Sequence, residues 1–125
     1  MIIGIGTDIV EVARIELAIV RQGERFIEKI FTQNEIEYCT RYQRSVLHYA
    51  GRFAAKEAIL KAAGTGLRPP FTWHDIEIIN LPEGQPHAHL HGSFKELLEG
   101  LMLHLSISHC DSYAVAFATL SKREG

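Results

Sequence analysis

The chain has 125 residues, 46% of them hydrophobic and 22% charged, which fits one globular domain over residues 1–125 and argues against disorder. A formal net charge of -2 excludes a global pull toward nucleic acid or anionic lipid, so electrostatic recognition falls to local patches. No apolar run reaches transmembrane length and the N-terminus lacks the layout of a secretory signal, so a cytoplasmic, non-membrane protein with Cys39 and Cys110 reduced is expected.

Met1 to Val10 reads as a strand in which Ile3, Ile5, Thr7 and Ile9 alternate with Gly4, Gly6 and Asp8. The carboxylate therefore shares a face with two glycines, where another group can come close. Asp8 can also be read as a strand end or a helix cap. A helix is predicted from Val12, with Val12, Ile15 and Ile19 as its apolar side. If it continues past Gly23, then Arg14, Arg21 and Arg25 form a basic stripe, either a solvated face or a dock for an acidic helix. After the short amphipathic piece Phe26 to Phe31, Thr32 and Glu35 fit a capping box for a helix through about Tyr42. Phe26, Phe31, Tyr38 and Tyr42 read as packing residues without chemistry.

The most informative stretch is the helix predicted from Val46 to Ala63, with Ser45 as N-cap and Gly64 in the left-handed C-terminal position. At about 100° per residue, Ala50, Phe53, Ala54, Glu57, Leu60 and Lys61 share a side, which puts two charges among core-facing residues. An ordinary surface pair at i,i+4 is the alternative. Ala55, Ala58 and Ala62 make a small-residue stripe suited to close packing, and Gly64-Thr65-Gly66 offers backbone that can approach a phosphate.

Leu67 to Pro70 forces a loop. Trp73 to Asn80 and His87 to His91 read as strands joined by a hairpin connection, Leu81 to Pro86. His87, His89 and His91 then share a face and are a possible zinc set, although no nearby Cys, Asp or Glu completes it; a half-exposed polar sheet face is the plainer reading. Ser93 and Glu96 suggest a capping box for a short helix to about Leu101. Leu103 to His109 and Tyr113 to Leu120 close the chain as two strands around a Cys110-Asp111-Ser112 turn. His109 stands at a strand end, a usual place for binding residues.

Three stretches together resemble holo-acyl-carrier-protein synthase, the short form of phosphopantetheinyl transferase. They are Gly4-Ile5-Gly6-Thr7-Asp8-Ile9, Gly51-Arg52-Phe53-Ala54-Ala55-Lys56-Glu57-Ala58 continuing to Lys61 and Gly64-Thr65-Gly66, and Ser106-Ile107-Ser108-His109 followed by Tyr113-Ala114. The resemblance implies an α+β fold with a small antiparallel sheet on a long central helix. It implies Mg2+-dependent transfer of phosphopantetheine from coenzyme A to a serine of an apo acyl carrier protein, in support of fatty acid biosynthesis, with release of adenosine 3′,5′-bisphosphate. Carried over residue by residue, it makes Asp8 and Glu57 the metal ligands and puts Lys61 beside the pyrophosphate. Arg52, Gly64, Thr65, Gly66 and His109 become candidate contacts to coenzyme A, and Arg14, Arg21 and Arg25 a candidate carrier-protein dock. The serine's base is left open among Glu57, Asp8 and a metal-bound water. A homotrimer is a further implication of the likeness. Two rival readings are a non-catalytic module that binds an acidic helix through the arginines, and a zinc enzyme built on His87, His89 and His91.

Overall fold

The computed structural model describes residues 1–123; the last two residues of the expected domain lie outside them. Five strands, β1 (Ile2–Glu11), β2 (Ile76–Asn80), β3 (Pro86–Leu90), β4 (Leu101–His109) and β5 (Tyr113–Lys122), combine with five helices, α1 (Val12–Gln22), α2 (Glu24–Ile30), α3 (Gln33–Thr40), α4 (Ser45–Ala63) and α5 (Gly92–Leu97). A 3-10 turn, Trp73–Asp75, precedes β2. The strands form an antiparallel sheet of order β1-β5-β4 and a separate β2-β3 hairpin. This is the expected α+β architecture.

The packing of β1 on α4 follows from missing side chains. A Cβ on Gly4 would lie 2.2 Å from the Ala62 carbonyl oxygen, and one on Gly6 would lie 2.0 Å from that of Ala58. Ala114, Ala116 and Ala118 of β5 meet the same helix and are fully buried, as are Ala54, Ala55 and Ala58 of α4. Small residues facing small residues bring the helix axis close to the sheet. The larger side chains of β1 and β5 consequently point the other way: Ile5 is 58% exposed, Ile9 64% and Phe117 44%.

α4 is buried on almost every side, because the sheet, α1, α3 and β2 all contact it. Periodicity put Glu57 and Lys61 on its core face. The charges of this helix that are buried are instead Arg52 and Lys56, and the Lys56 Nζ stands 2.7 Å from Glu35 Oε1 with both side chains inaccessible. Lys56 also donates to the carbonyls of Ile30 and Trp73, while Glu35 accepts from the backbone N–H groups of Thr32 and Ile78. The Thr32–Glu35 capping box forms as expected, so one glutamate caps α3 and neutralises the lysine.

Three local expectations need correction. Ser45 does not cap α4: Arg44 holds the cap position without a side-chain bond, and Ser45 is the first helical residue. Ser93 lies inside α5, which begins at Gly92 after His91, and no capping box forms; the positive φ of 58° at Gly92 sets the entry instead. The helix through the arginines stops at Gln22, because Gly23 adopts φ 60° and separates α1 from α2. Arg14 and Arg21 therefore share α1 and Arg25 lies in the first turn of α2.

Replacing Lys56 by Met strands a buried carboxylate and is expected to cost about 3–5 kcal/mol. Adding Glu35→Gln to Lys56→Met removes the stranded charge, keeps an acceptor for the buried Ile78 N–H and recovers part of that loss. Urea unfolding of the two variants measures the difference.

Candidate active site

β1 climbs while α4 descends: Gly4 meets Ala62, and Gly6 meets Ala58 one turn earlier. Two strand residues and one helical turn advance by similar lengths, about 6–7 Å. The next residue on that face, Asp8, is therefore level with the turn that carries Glu57. Helical side chains lean toward the N-terminus, so Lys61, one turn on, reaches back. Its Nζ donates to the Thr7 carbonyl at 3.0 Å and to Asp8 Oδ1 at 3.2 Å. The Asp8 side chain is 15% exposed and that of Lys61 55%.

Burial raises the Glu57 pKa above the usual carboxylate range, the negative charge of Asp8 raises it further, and Lys61 opposes both. Asp8, far away in sequence, thus joins Glu57 and Lys61: two carboxylates near enough to repel, with one half-exposed ammonium as compensation. Such a donor set fits a hard divalent cation, since Mg2+ takes few protein carboxylates and completes its shell with water and phosphate.

A second locus lies in a cavity of about 150 Å3 whose lining includes Tyr38, His48, Arg52, Asn80, Pro86 and His109. Arg52 is 4% exposed. Its Nη2 donates to Asn80 Oδ1 at 2.7 Å, and its guanidinium lies 3.8 Å from the Tyr38 ring centroid. Among the described residues, Arg52 Nε is the one buried side-chain polar atom without a hydrogen-bond partner. A buried guanidinium with an unmet donor suits a phosphate. The His109 ring is 5.5 Å from that of His48, edge to face. Burial, then His109 and Arg52, lower the His48 pKa.

The Gly64-Thr65-Gly66 loop is shaped by the end of α4. Gly64 has φ 76° as expected of a left-handed cap, and its N–H bonds the carbonyls of Leu60 and Lys61. The Thr65 N–H also bonds Leu60 O. Both amides are committed to the helix, at the end whose dipole is negative; the loop can give a ligand close approach but not those two donors. Arg14, Arg21 and Arg25 are all exposed. Arg14 and Arg21 lie on the helix that begins directly after the Asp8 strand.

Sequence reasoning missed Tyr38, Asn80 and His48. Tyr38 was read as packing, yet it supports Arg52 and Tyr42 stacks on His48 at 3.8 Å. No local signal marks Asn80, which reaches Arg52 only through the hairpin fold. The three histidines also differ from expectation: His91 lies beyond β3 and caps α5, and it is Glu77 of β2 that joins His89 and His91. A larger groove of about 590 Å3, lined in part by His87, Leu90, Lys95 and Leu101, holds none of the Asp8, Glu57 or Arg52 side chains.

Comparison with known proteins matches residues 4–118 to the 4′-phosphopantetheinyl transferase superfamily. A holo-acyl-carrier-protein synthase of Koribacter versatilis is 48% identical over 123 residues, covering 96% of this chain and 98% of that protein. The structure of such a synthase from Bacillus anthracis, in complex with coenzyme A (3′,5′-ADP), superposes with TM-score 0.84 at 38% identity over 98% of this chain and 99% of that one. The Neisseria meningitidis synthase does so with TM-score 0.90 at 35% identity over 98% and 100%.

Because Glu57 holds its proton more tightly when folded, its contribution to stability is full below the ordinary glutamate range and is lost as pH rises through the elevated folded value. In metal-free protein the carboxyl resonance of Glu57 is expected to titrate above that of an ordinary glutamate. Asp8→Asn, which deletes one of the two causes, should lower the midpoint in the same NMR titration.

Proposed function

The chain belongs to the 4′-phosphopantetheinyl transferase superfamily, and we propose that its site works as follows. The enzyme is a holo-acyl-carrier-protein synthase in activity: it moves the 4′-phosphopantetheine arm of coenzyme A onto a serine of apo acyl carrier protein. The serine oxygen bonds to the phosphorus on the pantetheine side of the pyrophosphate, the bond to the bridging oxygen breaks, and adenosine 3′,5′-bisphosphate leaves. The observation that carries this reading is the convergence of Asp8, Glu57 and Lys61, with a buried arginine that has an unmet donor earlier on the same helix.

Asp8 and Glu57 would hold Mg2+, which when bound supplies positive charge at the pyrophosphate. Lys61 offers a mobile ammonium to the departing bisphosphate, and its present contact with Asp8 holds it nearby. The serine proton goes to one of the groups at this site, Glu57, Asp8 or a water held by the ion. Arg52, braced by Tyr38 and Asn80, binds a phosphate of coenzyme A, with His109 at the wall of the same cavity. Gly64, Thr65 and Gly66 form a wall that the nucleotide approaches closely.

Arg14, Arg21 and Arg25 form the dock for the acidic surface of the carrier protein, now on two helices set at an angle by Gly23. The outward face of the sheet exposes Ile5, Ile9, Val115 and Phe117, an apolar cluster suited to pack against further copies of the chain; a homotrimer is the assembly we infer. Residues 1–125 act as one domain. Among the described residues no helix is long and apolar enough to cross a membrane, in keeping with work in the cytoplasm on carrier proteins of fatty acid synthesis.

Incubation with coenzyme A, Mg2+ and an apo carrier protein should add the mass of one phosphopantetheine to the carrier. Asp8→Ala and Glu57→Ala should abolish that gain with the fold retained, and Lys61→Ala should slow turnover by about 10²-fold. Ordinary turnover in either carboxylate variant would refute the mechanism. Separately, Ile5→Asp and Phe117→Asp should convert the assembly to monomers in sedimentation, whereas an unchanged sedimentation coefficient would place the interface elsewhere.

A further inference from the structure

The β2-β3 hairpin carries a constellation that the transfer chemistry leaves unused. Glu77 and His89 are directly opposed across the antiparallel pair, so their side chains share a face. His91, two residues on, is anchored by its backbone N–H to the Asp75 carbonyl at 2.8 Å. Its Nε2 stands 3.1 Å from Glu77 Oε1, and its ring is 4.5 Å from that of His89. One ligand atom from each of Glu77, His89 and His91 falls within 4.8 Å of the others.

The carboxylate at the centre is fixed in place. Glu77 is 5% exposed, and Oε2 accepts from the Thr32 hydroxyl and the Asn34 amide, which turns Oε1 toward the histidines. Burial would raise its pKa, but the hydrogen bonds from Thr32, His91 and Asn34 outweigh it and bring the carboxyl below the usual range. The group is thus an oriented anion, and among the described residues its one ion-pair partner is His91. Bonds from neighbouring residues that aim a carboxylate are what a metal ligand requires of its surroundings.

We propose that Glu77, His89 and His91 bind a divalent transition-metal ion of the zinc class. Two imidazoles and one carboxylate suit zinc and disfavour Mg2+, which prefers oxygen donors. Tetrahedral zinc with bonds of about 2.0–2.1 Å needs ligand atoms about 3.3 Å apart. The exposed His89 ring can close the remaining gap by side-chain rotation while the backbone stays in place. A water completes the shell. The ion fastens the open end of the hairpin to the start of α5; the other end of the same hairpin supplies Asn80, Gly84 and Pro86 to the Arg52 cavity, so zinc stiffens one wall of it.

The test is calorimetric titration of chelator-treated full-length protein with Zn2+ alone as probe, in excess Mg2+ to occupy the Asp8–Glu57 site. The proposal expects one Zn2+ per chain with a micromolar or tighter dissociation constant. His89→Ala, a change at an exposed position that spares the fold, should weaken binding by about tenfold or more, and Glu77→Gln likewise. His87→Ala, outside the cluster, should leave the affinity unchanged. Affinity weaker than millimolar, an unaltered affinity in His89→Ala, or a loss in His87→Ala equal to that in His89→Ala would each overturn the assignment.

Discussion

The close approach of α4 to β1 is the constraint on which the remaining structure depends. It exists because Gly4 and Gly6 carry no Cβ: an added methyl would overlap the carbonyl oxygens of Ala62 and Ala58. With the helix that near, the strand's next inward residue, Asp8, comes within reach of Lys61 and close enough to perturb Glu57. A helix held farther away by larger residues would leave the carboxylates as separate surface groups. The same contact decides the rest of the sheet, since small inward residues leave the isoleucines, Val115 and Phe117 to face outward. One choice of residue size therefore positions the candidate chemistry and leaves an apolar face exposed on the other side of the sheet.

The buried pair Lys56–Glu35 performs a different task. Desolvating two charges gives back little net stability compared with a well-packed apolar pair, but every donor and acceptor around this pair is directional. Lys56 reaches the end of α2 and the turn before β2, and Glu35 reaches the start of α3 and the backbone of β2. These bonds fix where the hairpin lies against α4. Asn80, at the far end of β2, then meets Arg52 one turn before Lys56 on the same helix. Burial lowers the Lys56 pKa, and Glu35 opposes that shift. The pair acts as a register pin whose geometry is felt at the Arg52 cavity.

What could be read in the sequence was local. The alternation that puts Asp8 on the glycine face, the Thr32–Glu35 box and the Gly64 cap each depend on residues a few positions apart, and each is present. What could not be read depends on distant partners. Nothing near Lys56 announces Glu35, and a single helical period cannot describe a helix covered on nearly every side. Tyr38 looked like packing because its partner, Arg52, lies on another helix. Glu77 was overlooked as a companion of the histidines because only strand pairing opposes it to His89. Gly23 was ambiguous for a related reason: glycine inside a helix is tolerated, and only its positive φ turns it into a break.

In the proposed mechanism Asp8 and Glu57 act as one unit, holding a single ion between strand and helix. A double-mutant cycle on the rate of transfer, with Asp8→Asn, Glu57→Gln and their combination, tests it most directly. Residues that share one ion lose it together, so the double variant should be about as slow as the slower single variant. If the two losses multiply as those of independent residues do, the carboxylates do not serve a common ion.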